Sequence, residues 1–133
     1  MGDTAAVQVT GITTVGIPVT DQDRALGFYL DTLGLETRMD VPTPGGGRWI
    51  TVGPRGSAGP SLALVAAHDG VPAGVETGIR LATADAEAAR RELVAAGVDC
   101  DEILRWPGVP PMFRFRDGDG NGLELVESPP AAS

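Results

Sequence analysis

Val15-Gly16-Ile17-Pro18-Val19-Thr20-Asp21-Gln22-Asp23, continuing through residues 25–33 to Gly34, reads as a short strand, a helix start, an amphipathic helix and a stop. The same order returns in Gly78-Ile79-Arg80-Leu81, then Thr83-Ala84-Asp85, residues 86–96 and Gly97. Gly97 follows Gly34 at an offset of 63 residues. In both copies Asp and Thr oxygens stand where free helix N–H groups need acceptors, and a glycine stands where the chain must turn left-handed. Leu26, Tyr29, Leu30 and Leu33 recur at helical spacing, as do Ala86, Ala89, Leu93 and Ala96.

Each helix is followed by short runs between Gly and Pro punctuation: residues 35–41, 48–52 and 61–67, then 98–104, 112–116 and 123–127. The pattern predicts an α+β fold of two β-α-β-β-β modules, over residues 9–67 and 74–128, with eight strands in all. One such module leaves a sheet face bare, so the two are expected to pack as a single domain over 1–133.

The chain has 133 residues, with ten basic groups, all Arg, against eighteen acidic ones, a formal charge of -8. The basic residues are scattered, which excludes the stripe that a nucleic-acid binder needs. A 42% hydrophobic content favours folding despite 19 Gly and 11 Pro. Cys100 is the sole cysteine, so an intrachain disulfide and a cysteine zinc site are both excluded, in keeping with a cytoplasmic location. The start, Met1-Gly2-Asp3-Thr4, has no basic or apolar leader, and the longest apolar run is residues 62–67, so neither export nor a membrane partner is expected.

Several motifs carry chemistry in principle. Asp117-Gly118-Asp119-Gly120-Asn121-Gly122 begins like a calcium loop, but the closing position is Ser128 and the flanks alternate like strands. A hairpin turn is the better reading. His68, the one histidine, cannot build a multi-histidine site and reads as a surface residue. Strand alternation places Val15/Ile17, Leu62/Leu64, Ile79/Leu81 and Leu123/Leu125 against the helices. The opposite face carries Thr14, Gly16, Ser61, Ala63, Gly78, Arg80, Glu124 and Val126, and either lines a cavity or meets solvent.

Residues 12–19, Asp21-Gln22-Asp23-Arg24-Ala25-Leu26-Gly27-Phe28-Tyr29 and Leu33-Gly34-Leu35-Glu36 resemble the opening of glyoxalase/bleomycin resistance protein/dioxygenase (vicinal oxygen chelate) proteins. Residues 115–127 resemble their Asp-Pro-Asp-Gly-Asn turn and Glu-bearing last strand, with Gly118 in place of Pro. The resemblance, over residues 9–128, implies paired modules curled around a cup, in a homodimer. It also implies four metal-ligand positions, which here read Thr14, Ala63 (or Leu64) and Gly78, with Glu124 the one good ligand. No metal cofactor is therefore expected, although the fold admits a divalent ion.

Two functions follow from the resemblance. The first is a protein that binds a small organic molecule, of the aromatic, cationic antibiotic type, without the family's metal. Trp49 and Trp106 would stack on it or serve only as packing, Phe113 or Phe115 would form an apolar wall, and Thr14 and Ser61 would orient it or merely satisfy one another and water. The net charge favours a cation at long range. The alternative is an enzyme of lyase, isomerase or dioxygenase type in which Glu124 is base or metal ligand and Arg80 holds an anionic group. Arg80 and Glu124 equally make a plain ion pair.

Overall fold

The computed structural model describes residues 7–128. Strands β1 (Thr14–Val19), β2 (Glu36–Pro42), β3 (Arg48–Gly53) and β4 (Ser61–Ala66) form one sheet in the order β1-β4-β3-β2, with β1 and β4 parallel and the other pairs antiparallel. Strands β5 (Glu76–Thr83), β6 (Met112–Arg116) and β7 (Gly122–Glu127) form the second, in the order β5-β7-β6. Here β5 and β7 are parallel and β6 and β7 antiparallel, so the second sheet repeats the first without its outermost strand.

The missing strand is the one expected over residues 98–104. That segment runs beside β6 and makes only isolated bridges, Cys100 with Phe115 and Leu104 with Met112. Asp99, Asp101 and Glu102 are poor strand formers at an open edge. Asp101 turns its carboxylate to Arg116, 2.8 Å from Nη1, which holds its carboxyl below the usual range.

Both helices start as their caps dictate. The Asp21 carboxylate accepts from the Arg24 N–H at 3.0 Å and opens α1 (Gln22–Gly27), earlier than the expected residues 25–33. From Phe28–Thr32 the same helix widens into a π-helical turn, and Gly34 ends it at φ 73°. Asp85 caps α2 (Ala86–Ala95) through the Ala88 N–H at 3.0 Å, and Glu127 of β7 accepts from the Ala86 N–H at 3.0 Å. The last strand thus ties directly to the second helix.

The core lies between the sheets and their helices as one cluster drawn from both modules. Ile17, Val19, Ile50, Val52, Leu62 and Leu64 come from the first; Phe113, Phe115, Leu123, Leu125 and Leu93 come from the second. Burying such side chains contributes about 1.5–3 kcal/mol each, an upper bound that ordering entropy offsets. Val15 departs from the alternation expected, 37% exposed at the lip of a cleft between the modules. The resemblance made Phe113 or Phe115 a cavity wall, but both are core residues, 1% and 0% exposed.

The modules are joined by the turn at 117–121. Tyr29 Oη donates to Asp117 Oδ2 at 2.7 Å, and Asn121 Nδ2 donates to the Pro18 carbonyl at 2.7 Å. Burial, reinforced by the Asp117 charge and hydrogen bond and by the Asp119 charge, pushes the Tyr29 phenol well above its ordinary value. The hairpin reading holds: β6 and β7 pair antiparallel from Arg116 opposite Gly122.

Candidate ligand site

Away from the core, each sheet presents a second face whose residues are fixed by register. On the first sheet Thr14 stands opposite Ser61, and Gly16 opposite Ala63, which itself stands opposite Thr51. Gly16 is exposed and Thr14 half-buried on this face, whereas Ala63 and Thr51 are buried. Trp49, on β3 opposite Val41, is 37% exposed. The Thr14 hydroxyl lies 3.1 Å from that of Thr13, and the Ser61 hydroxyl accepts from Arg38 Nη1 at 2.9 Å.

On the second sheet Glu124 occupies the central strand. Arg80 stands opposite it on β5 and Arg114 opposite it on β6, so the three make one row across the sheet. Arg80 Nε is 2.8 Å from Glu124 Oε1, and Arg114 Nη2 is 3.6 Å from Oε2. Arg114 Nε also lies 3.4 Å from Glu76. The Glu124 side chain is 16% exposed, whereas those of Arg80 and Arg114 are 63% and 43% exposed. The ion pair expected of Arg80 and Glu124 is present, and Arg114 is a third member that residue-type reasoning passed over. Its signal was available in Met112-Phe113-Arg114-Phe115-Arg116, where period-two alternation puts the Phe residues inside and the Arg residues outside.

Gly78 adopts φ 74° inside the register shift between Glu76 and Arg80. A β-carbon is strained there, so this backbone does not readily accept the histidine that the resemblance assigns to the position. Across the four positions Thr14 offers a hydroxyl, Ala63 and Gly78 offer no donor, and Glu124 already faces two cations. Among the described residues no three His, Cys, Asp or Glu side chains cluster. This donor set does not fit zinc, iron, nickel or manganese, which require several N, O or S ligands around the ion.

The ligand-binding residues inferred from sequence fall into separate places. Thr14 and Ser61 are neighbours, as are Arg80 and Glu124, but no hydrogen bond or ion pair joins the two pairs. Trp106 is 61% exposed in the loop before β6. His68 is exposed, as expected, and its Nδ1 accepts from the Gly70 N–H at 3.2 Å. Between the modules runs a cleft of about 930 Å³ with walls that include Val15, Leu33, Leu62, Leu81 and Leu93. Ser61 and Arg80 border it, while Thr14, Trp49, Trp106, Phe113 and Glu124 do not. No described helix is long and apolar enough to cross a membrane.

Similar chains share this architecture. TnmS3, an antibiotic binding protein from Streptomyces sp. CB03234, is 32% identical, with 91% of this chain and 98% of that one covered and a TM-score of 0.80. A glyoxalase/bleomycin resistance protein from the same strain is 33% identical, with coverage of 88% and 100% and a TM-score of 0.76. A superfamily member from Sphaerobacter thermophilus DSM 20745 is 34% identical, with coverage of 90% and 98% and a TM-score of 0.83. No curated protein matches the chain significantly. Residues 11–125 match the profile of the family that the opening and closing motifs resembled, and the chain belongs to the Glyoxalase/Bleomycin resistance protein/Dioxygenase superfamily.

Proposed function

We propose that this protein binds a small, flat organic molecule of antibiotic type, without a chelated metal, in a cup completed by a second copy of the chain. The observation that carries the reading is the donor set: hydroxyl, methyl, hydrogen and one carboxylate at the four family positions, with the carboxylate countered by Arg80 and Arg114. Similarity to an antibiotic binding protein at 32% identity supports the ligand class. Two features support the homodimer. The Thr14/Ser61 face and the Arg80/Glu124 face belong to different sheets, and β1 and β5 are both free sheet edges. A second copy can set the face of one sheet opposite the face of the other, with Trp49 supplying an aromatic surface.

The test is a titration with a panel of polycyclic aromatic antibiotics, followed by Trp fluorescence and calorimetry, with mass spectrometry of the recovered ligand and sedimentation of the protein. Saturable binding of an unchanged ligand by a dimer is expected. Stoichiometric zinc, nickel or iron lost on Glu124→Gln would overturn the metal-free reading, and chemical conversion of the ligand would replace sequestration with catalysis. Leu81→Phe, which narrows the cleft between the modules, is expected to leave the affinity unchanged. A large loss would move the ligand into that cleft.

A further inference from the structure

The ten arginines are not equivalent. Arg38 spends its guanidinium on the carbonyls of Pro54, Ser57, Gly59 and Pro60 and on the Ser61 hydroxyl, at 2.6–3.2 Å. Arg48 bonds Asp40 through Nε and Nη2 and Asp23 through Nη1, and Arg116 takes Asp101 with both Nη atoms. These are structural clamps held by aligned hydrogen bonds. Among the described residues Arg80 and Arg114 make no side-chain hydrogen bond, although both sit within ion-pair distance of Glu124. Arg80 Nε approaches Glu124 Oε1 to 2.8 Å without hydrogen-bond alignment, and that oxygen is occluded with no hydrogen-bond partner.

The carboxylate therefore holds two guanidiniums by charge, with Glu76 also near Arg114, and their N–H forks make no aligned hydrogen bond. A guanidinium carries five donors in a rigid plane that matches a planar oxygen pair. Toward one end of the row the Glu76 carboxylate lies over Gly122, and toward the other Ala82 and Val126 pair on the same face. A flat ligand can lie there with its polar edge between the two forks.

Resting on the binding reading above, we infer that Arg80 and Arg114 form a two-guanidinium anchor for a planar oxyanion of the ligand, a carboxylate or an acidic phenol or enol, with Glu124 as the positioning residue between them. The inference departs from the cationic ligand that the net charge of -8 favours. That charge acts at long range and is screened beyond about 10 Å in ordinary salt. Contact recognition belongs to the local row, where two cations meet the half-buried Glu124 carboxylate and the loosely held Glu76.

The experiment compares three probes that share one ring system, 2-naphthoate, 2-naphthamide and 2-naphthylmethylammonium, by calorimetry on the full chain. Naphthoate should bind at least about tenfold more tightly than either of the others, the range for hydrogen bonds to charged groups. Arg80→Gln and Arg114→Gln should each abolish that preference, and Arg80→Lys, which keeps the charge but not the fork, should restore only part of it. Arg91→Gln, an equal change in net charge on exposed α2, should leave it intact. Equal affinities, a preference for the ammonium, or a naphthoate preference that survives both Gln substitutions in folded protein would overturn the anchor. Failure of all three probes to bind would also overturn it, whatever the polycyclic panel does, because that panel alone decides the binding reading.

Discussion

The turn at 117–121 and the row of Arg80, Glu124 and Arg114 use similar groups, acids and their polar partners, to opposite ends. In the turn the side chains of Asp117 and Asn121 are fully engaged in aligned hydrogen bonds. Asp117 Oδ1 accepts from the N–H groups of Asp119 and Asn121, both at 2.9 Å, and Oδ2 accepts from Tyr29 Oη and Asn121 Nδ2. Asn121 Oδ1 accepts from the N–H groups of Gly74 and Val75 at 2.8 and 3.1 Å, and Asp119 accepts from Thr20 and Arg24. In the row, guanidiniums gather about a carboxylate without aligned hydrogen bonds. A satisfied buried network fixes structure, and a row of free donors is available to something else. Stability and ligand affinity should therefore respond to different substitutions.

The sharpest break of this comparison is Asp117→Ala. It strands the Tyr29 hydroxyl and the backbone N–H groups of Asp119 and Asn121 in a largely buried site, removes one bond of the Asn121 amide, and should cost about 3–5 kcal/mol in urea unfolding. Less than about 1 kcal/mol would mean that the turn does not join the modules. Tyr29→Phe comes next, with a loss of about 1.5–3 kcal/mol for a hydrogen bond to a charged acceptor. It also has a pH signature. The folded phenol titrates above its ordinary 10.0, so folding favours the protonated form. That contribution is complete below pH 10 and is lost as pH rises above it toward the folded value. Wild type should thus lose stability above pH 10 more steeply than Tyr29→Phe, as equilibrium unfolding across that range will test.

Local chemistry made much of this legible in the sequence. Asp21 and Asp85 cap the helices, Gly34 and Gly97 carry φ 73° and 85° just past their ends, and the Asp-Gly-Asp-Gly-Asn run is a hairpin turn. What the residues alone did not disclose depends on distance along the chain or on competing signals. Tyr29 and Asp117 meet across 88 positions, a contact that periodicity does not encode. Phe113 was drawn toward the cup by its aromatic character, whereas its strand period buries it and turns Arg114 outward. The segment 98–104 alternated well enough to suggest a strand, but its acids are held by arginines and only bridges form. Arg80 and Glu124 were readable as a pair. Their third partner required the register of three strands.

The smallest effect is the most telling about the row. Glu124→Gln removes the charge that gathers Arg80 and Arg114, yet it forfeits no hydrogen bond at Oε1, because none is made there. Both guanidiniums are well exposed and can turn to water, so the loss of attraction is screened. The unfolding free energy should change by less than about 1 kcal/mol in either direction. The guanidinium Nε–H signals offer a second readout. Those of Arg80 and Arg114 should exchange rapidly with solvent before and after the substitution, while that of Arg48, bonded to Asp40 at 3.1 Å, should exchange slowly in both proteins. A destabilisation approaching that of Asp117→Ala would make the row a second structural clamp, and the distinction between the two regions would collapse. A near-neutral result would leave Glu124 a residue whose charge the fold tolerates more than it needs, which is the property expected of a group kept for positioning a ligand anchor.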